Sequence, residues 1–411
     1  MFDEKIYLRD LAKETYDYAT SDIMNERRKA WSKQNDLQFT KPLIYIRSIP
    51  FGEIIDLNNL KCNTPALRNY EKNLLLNRYR MTLADDYVIE PYITMNASVA
   101  VSEHSIWGIE CALTKREKNG DCSAFKPSII ETEDWKNMVV TDYAVDEKQT
   151  ADNYEFLYNV FGNSIPIEIN RQTPFANKWN NDIATLLAKM RGLEQLMWDM
   201  YDEPEWLHEI LTFMRDNILR QMDLCEKAGG FTSINNENQS MQYATGIITP
   251  EKNSKINSLK DIWGFLAAQE FAVVGPDFFK EFMFDYQKPI LEKYGLVSYG
   301  CCEDMTQKIE IIKSLSNLRR IAVTPFSDAK KCAEQIGKDY VASWRPNPSS
   351  AIAQGINEDF IRKDMRKHFD IFTANNCVFD ITLKDVETQS GNPNAIKIWT
   401  DIVRDEIEKY F

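Results

Sequence analysis

Gly295-Leu-Val-Ser-Tyr299, Leu318-Arg-Arg-Ile-Ala-Val323, Asp339-Tyr-Val-Ala-Ser343 and Cys377-Val-Phe-Asp-Ile-Thr-Leu383 are apolar runs of strand length, each followed by a stretch with helical spacing. Those stretches cover residues 305–314, 329–336, 358–369 and 394–410. Short strands alternating with longer helices build βα units around a parallel sheet. The reading that follows is a single (β/α)8 barrel, in which chemistry sits at the C-terminal ends of the strands. Upstream, helical signals occupy 184–200, 204–228 and 276–293, with Pro204 and Pro276 placed where proline suits a first helical turn. A first strand is expected at 42–47 and a second at 87–93, separated by a Leu-rich helix around 71–83. Tyr7, Leu8, Leu11, Ala12, Tyr16 and Ala19 recur at spacings of three and four, which predicts an N-terminal helical extension over 1–40. The barrel then occupies 41–411, with a polar, irregular insertion around 107–155.

The chain has 411 residues, and 62 acidic against 49 basic side chains leave a net charge of −13. A phosphate backbone or an anionic membrane surface is repelled on average, so neither nucleic acid nor membrane is an expected partner. No run approaches the ~18 apolar residues of a membrane-spanning helix, and the start shows no apolar signal region. A cytoplasmic location is therefore expected, with thiols rather than disulfides at Cys62, Cys111, Cys122, Cys225, Cys301, Cys302, Cys332 and Cys377.

Reading each strand to its tip collects the site candidates. They are Tyr299-Gly-Cys-Cys-Glu-Asp304, Thr324-Pro-Phe-Ser-Asp328, Trp344-Arg-Pro-Asn-Pro348 and Lys384-Asp385, with Gln269-Glu270 after the apolar segment that starts at Trp263. Two thiols and several carboxylates at neighbouring tips suit a zinc site with one open position. The structural alternative makes Cys301 and Cys302 small packing residues and Asp328 and Asp385 helix caps. Trp344 and Arg345 are candidates for lining the barrel mouth. His104, beside Trp107-Gly108, and Trp107 itself are the candidate substrate contacts, whereas His208 and His368 fit ordinary helix positions.

Met190-Arg-Gly-Leu-Glu-Gln-Leu-Met-Trp-Asp-Met-Tyr-Asp-Glu-Pro-Glu-Trp-Leu-His208 resembles a helix pair of uroporphyrinogen decarboxylase-like proteins. Asp261-Ile-Trp-Gly-Phe265, Tyr299-Gly-Cys-Cys-Glu303, Asn317-Leu-Arg-Arg-Ile-Ala-Val-Thr-Pro-Phe-Ser-Asp328 and Arg345-Pro-Asn-Pro348 resemble a branch of that superfamily from anaerobic bacteria. The resemblance covers roughly residue 181 to the C-terminus. It implies a (β/α)8 barrel and either a decarboxylase or a zinc-dependent methyltransferase working with a corrinoid protein. The decarboxylases carry an arginine-rich phrase that clamps substrate carboxylates, whereas Ile46-Arg47-Ser48-Ile49-Pro50 keeps a single arginine. The methyltransferases carry a His-x-Cys-Gly phrase and a second cysteine near the C-terminus. Tyr299-Gly-Cys301-Cys302 falls on the first with tyrosine replacing histidine, and Asp385 stands near the second.

What the resemblance implies is an O-demethylase component that takes a methyl group from a small-molecule donor, an aryl methyl ether, and transfers it to cobalamin carried by a partner corrinoid protein. Zinc is expected on Cys301, Glu270 and Asp385, with Cys302 and Glu303 as substitutes. Tyr299, Glu303 and Asp328 are the expected catalytic side chains, and His104, Trp107, Trp344 and Arg345 the expected substrate contacts. A homodimer is left open. Two other readings stand beside this one: a decarboxylase or lyase with a cationic clamp from Arg47, Arg319, Arg320 and Arg345, and a non-catalytic binding protein on the same scaffold.

Overall fold

A computed structural model describes residues 2–47, 49–114, 124–176, 179–233, 240–250, 256 and 258–411. Ser48, Cys122 and most of the polar tract 114–123 lie outside the described residues. Among the described residues there are eight strands: β1 Leu43–Ile46, β2 Ile93–Asn96, β3 Ile167–Asn170, β4 Trp263–Leu266, β5 Leu296–Tyr299, β6 Leu318–Val323, β7 Val341–Trp344 and β8 Val378–Leu383. All pair in parallel, in a six-stranded sheet of order β1-β8-β7-β6-β5-β4 and a two-stranded sheet of β2 and β3. Pairing of the first strand with the last is the cyclic order of an eight-stranded barrel. The expected closed barrel is nevertheless not what the described strands form, because no ladder joins β1 to β2 or β3 to β4. The result is a curled parallel half-barrel with a separate pair of strands.

Four strands downstream of residue 290 fall within two residues of their expected places, because each is a short segment rich in β-branched and other apolar residues between helical stretches. The second strand does not. Pro91 interrupts the run at 87–93 and cannot donate to a ladder, so the strand begins only at Ile93, while Val88 and Ile89 pack as extended chain near Trp31 and Tyr45. The helix expected over 184–200 breaks at Gly192, whose φ of 88° gives two helices, Ala184–Arg191 and Leu193–Asp202. The insertion ends in a helix, Glu147–Phe161, capped by Asp146. The N-terminal region is helical as expected, Glu4–Ala19 followed by Asp22–Asn35.

The two faces of the larger sheet differ in kind. Val297, Tyr299, Ile321, Val323, Ala342, Trp344, Phe379, Ile381 and Leu383 belong to the main apolar core, which also contains residues of the helices Glu358–Ala374 and Ala395–Tyr410. The alternate positions Ser298, Arg320, Ser343, Asp380 and Thr382 are polar and also buried. Asp380 accepts from Ser343 Oγ at 3.1 Å and Thr382 Oγ1 at 2.7 Å, and it forms an ion pair with Arg320. Arg320 also donates to Asn35 Oδ1 at 2.7 Å, and Asn35 Nδ2 donates to the carbonyls of Met241 and Tyr243. The end of the second N-terminal helix is thereby fastened to the polar face of the sheet.

Asp380→Ala removes the acceptor of three donors on β6, β7 and β8 and leaves the Arg320 cation buried without its counter-charge. Losing one partner of a buried ion pair costs ~3–5 kcal/mol. Urea denaturation is expected to show a loss of that size. A change below ~1 kcal/mol would mean that the polar face hydrates instead of depending on this pair.

Candidate active site

β5 ends at Tyr299, and the next residue, Gly300, turns with a φ of 98°. A Cβ there would stand 2.9 Å from the Ala322 side chain, so only glycine allows the turn that delivers Cys301 and Cys302. Two buried groups fix this turn. Arg345, at the tip of β7, donates to the carbonyls of Gly300, at 3.1 Å, and Cys301. Glu303 accepts from the backbone N–H of Cys301 at 2.8 Å and of Ala268 at 2.9 Å, tying the β5 tip to the β4 tip.

Lys384 follows β8 directly and continues the inward alternation of Asp380 and Thr382. Its side chain is only 5 % exposed, and Nζ lies 2.9 Å from Cys301 Sγ, 3.1 Å from Cys302 Sγ and 3.2 Å from Asp385 Oδ2. The two sulfurs are 3.6 Å apart, and Cys302 Sγ is 3.6 Å from Asp385 Oδ2. Arg47 flanks the group, 3.8 Å from Asp385 Oδ1. Cys301 is buried, Cys302 and Asp385 are partly open, and the cluster therefore has one accessible side.

The electrostatics separate the two thiols. The hydrogen bond from Cys302 draws the Cys301 thiol down to about 6, against burial and with help from Arg345 and Lys384. The same bond, reinforced by burial, pushes Cys302 up. Of the two, Cys301 is the one whose thiolate form is favoured. Depressed pKa beside a cation is the setting of a reactive cysteine.

The expected zinc ligands meet only in part. Cys301, Cys302 and Asp385 come together, whereas Glu270 is placed differently: burial raises its carboxyl, Oε2 has no hydrogen-bond partner, and it in turn helps to raise Asp182. The point equidistant from the three converging groups is held by the Lys384 ammonium. Among the described residues no three His, Cys, Asp or Glu side chains are arranged to hold a metal. The donor set does not fit zinc, because its cation is already supplied by the protein.

The other expected residues are distributed as follows. Tyr299 points to the helix side, where its hydroxyl donates to Gln287 Oε1 at 2.5 Å and burial raises the phenol. Glu303 and Arg345 join the cluster as backbone anchors. Asp328 caps the helix Ala329–Ile336, accepting from Lys331 N at 3.1 Å. Trp344 faces the core and stacks on His368, 4.2 Å between centroids. Trp107 is fully buried, edge-on to Phe175, and His104 is an exposed loop residue with a φ of 70°. Lys384 is the residue that the sequence reading left unassigned; its signal is the period-two continuation of Asp380 and Thr382 beyond the strand.

No family model matches the chain, and no curated protein matches it in sequence. Among solved structures, a methyltransferase from Methanosarcina mazei aligns over 93 % of this chain and 98 % of its own, with a TM-score of 0.51 and 10 % sequence identity. The two chains share a fold.

Two measurements check the cluster. Protein purified without chelator is expected to carry well under one zinc per chain, and stoichiometric zinc bound through Cys301 would reverse the assignment of Lys384. The ultraviolet absorbance of the thiolate is expected to titrate with a midpoint near 6 and to shift upward in Lys384→Met. Because the folded thiol titrates below its ordinary 9.0, its stabilising contribution is complete above about 9 and is lost as pH falls through about 6. A midpoint near 9 in the wild type would contradict the pairing.

Proposed function

We propose that the chain is a methyltransferase that takes the methyl group of a small methylated substrate, an aryl methyl ether, and passes it to the cobalamin of a partner corrinoid protein. The observation that carries this reading is the buried Lys384 ammonium held between two cysteine sulfurs at the C-terminal end of the sheet. The likeness in fold to a methyltransferase and the Tyr299-Gly-Cys-Cys-Glu303 phrase support it.

An ether oxygen leaves poorly as an anion, so the chain must supply a proton or a cation at that oxygen as the bond to carbon breaks. Lys384 supplies it. The methyl carbon–oxygen bond breaks, its electron pair stays on oxygen, and a proton passes from Nζ to that oxygen, releasing the phenol. The docked corrinoid supplies the nucleophile for the methyl group. Cys301, 2.9 Å from Nζ, fixes the position of Lys384. Arg345 and Glu303 keep Cys301 in place through its backbone. Asp385, about half exposed, and Arg47 stand at the accessible side where solvent can return the proton.

The decarboxylase reading needs free guanidinium groups, and three of its four arginines are engaged. Arg320 pairs with Asp380, Arg345 holds two carbonyls, and Arg319 donates to the Asn35 carbonyl at 2.5 Å. Only Arg47 remains at the mouth, too little to clamp a polycarboxylate.

The test is demethylation of guaiacol with reduced cobalamin as acceptor. Lys384→Met is expected to lower kcat by ~10²–10⁴, the range of a lost general acid, while the protein still melts cooperatively. Lys384→Arg, which keeps the charge but does not release a proton, is expected to remain slow. Wild-type turnover in Lys384→Met would overturn the role of Lys384, and no methyl transfer by the wild type to any reduced cobalamin would overturn the function.

A further inference from the structure

A cavity of about 410 Å³ lies in the seam where β3 and β4 are not hydrogen-bonded to each other. Its size is that of an ordinary small-ligand pocket, ~300–1,000 Å³. One wall is Asn96 and Asn170 at the ends of β2 and β3, joined by a hydrogen bond of 3.1 Å between their side chains. The opposite wall is β4, with Trp263 and Phe265. Phe265 also packs in one small cluster with Cys301 and Cys302, so the cavity adjoins the lysine–cysteine centre.

Two features of the lining restrict what it holds. First, none of the described lining residues is charged, although the chain is rich in charged side chains. The polar groups are carboxamides and hydroxyls. Second, Asn181 is 1 % exposed, and its Oδ1 accepts no hydrogen bond from the protein, although its Nδ2 reaches the Tyr294 hydroxyl at 3.5 Å. Thr232 Oγ1, in the same lining, is likewise buried without a partner. A buried carbonyl left without a donor is unfavourable, and a ligand that brings an O–H or N–H to it removes the cost.

We infer that this cavity holds the ring of the methyl donor, an uncharged aryl ligand whose hydroxyl donates to Asn181 Oδ1 while its ring lies among Trp263 and Phe265 and its methoxy group leaves the cavity past Phe265 toward Lys384. A carboxylate on the ring is disfavoured, because moving an anion among the described lining residues, none of which supplies a counter-charge, carries a large desolvation penalty. The inference rests on the methyl-transfer reading, and binding is measured without any methyl acceptor so that the two can fail separately.

Isothermal titration of the full chain with guaiacol and with vanillate, the same ring bearing a carboxylate, reads the charge selection directly. Guaiacol is expected to bind at least about tenfold more tightly than vanillate. Asn181→Leu is expected to weaken guaiacol binding about tenfold or more, as sites built around a hydrogen bond do when it is lost. Thr232→Val provides a second, nearly isosteric variant should Asn181→Leu fail to fold, and is expected to weaken binding as well. Equal affinity for vanillate, or guaiacol binding unchanged in the folded variants, would overturn the site. Asn181-dependent binding without methyl transfer would uphold the cavity and remove the function, whereas methyl transfer with a KM unchanged in Asn181→Leu would do the reverse.

Discussion

The carboxylate of Asp380 is the constraint on which the half-barrel depends. A buried charge is tolerated only when it is paired and hydrogen-bonded, and Asp380 collects Arg320 from β6, Ser343 from β7 and Thr382 from its own strand. Each partner belongs to a different point on the sheet, so the pairing fixes three neighbouring strands relative to one another from their inner side. Arg320 extends the same network to Asn35 and through it to the carbonyls of Met241 and Tyr243. The helix side of the sheet is held by apolar burial, which is strong and non-directional. The inner side is held by directional bonds, which specify register.

That division explains why reactive side chains collect where they do. A sheet whose inner face is already polar carries the same alternation past its last ladder bond, and on β8 the next inward position after Thr382 is Lys384. Its ammonium meets the sulfurs of Cys301 and Cys302, with Asp385 at the open edge. Arg345, one step along β7 from Ser343 on that same face, holds the turn that presents those sulfurs. The polar face thus carries three cations with different partners: Arg320 meets a buried carboxylate, Arg345 two backbone carbonyls and Lys384 two sulfurs.

Glu270 illustrates how neighbouring sequence positions can diverge in function. It lies four residues past the end of β4, where Cys301 lies two past the end of β5; it sits in a short helical segment, Gln269–Phe271, and is pushed toward its neutral form by burial. Glu303, farther along the chain, instead accepts two backbone N–H groups and serves as a brace between the β4 and β5 tips. Proximity to a strand tip is necessary for a place in the cluster and not sufficient for it.

The sequence by itself determined the parallel alternation of strand and helix after residue 290, the helical N-terminal region, and the placement of Cys301, Cys302 and Asp385 just past strand ends. Those features are local: strand runs such as Leu318–Val323 and caps such as Asp328 follow from periodicity and short-range hydrogen bonding. Only the tertiary structure decided that the ladders stop at β1 and β4, that Tyr299 and Trp344 face the helices while Arg345 faces inward, and that Lys384 takes the central position expected of a metal. The physical reason is range. Orientation about a strand is set by period two, but the partner a buried charge finds depends on groups separated by 83 positions in the chain, as Lys384 and Cys301 are, and no local pattern encodes that meeting.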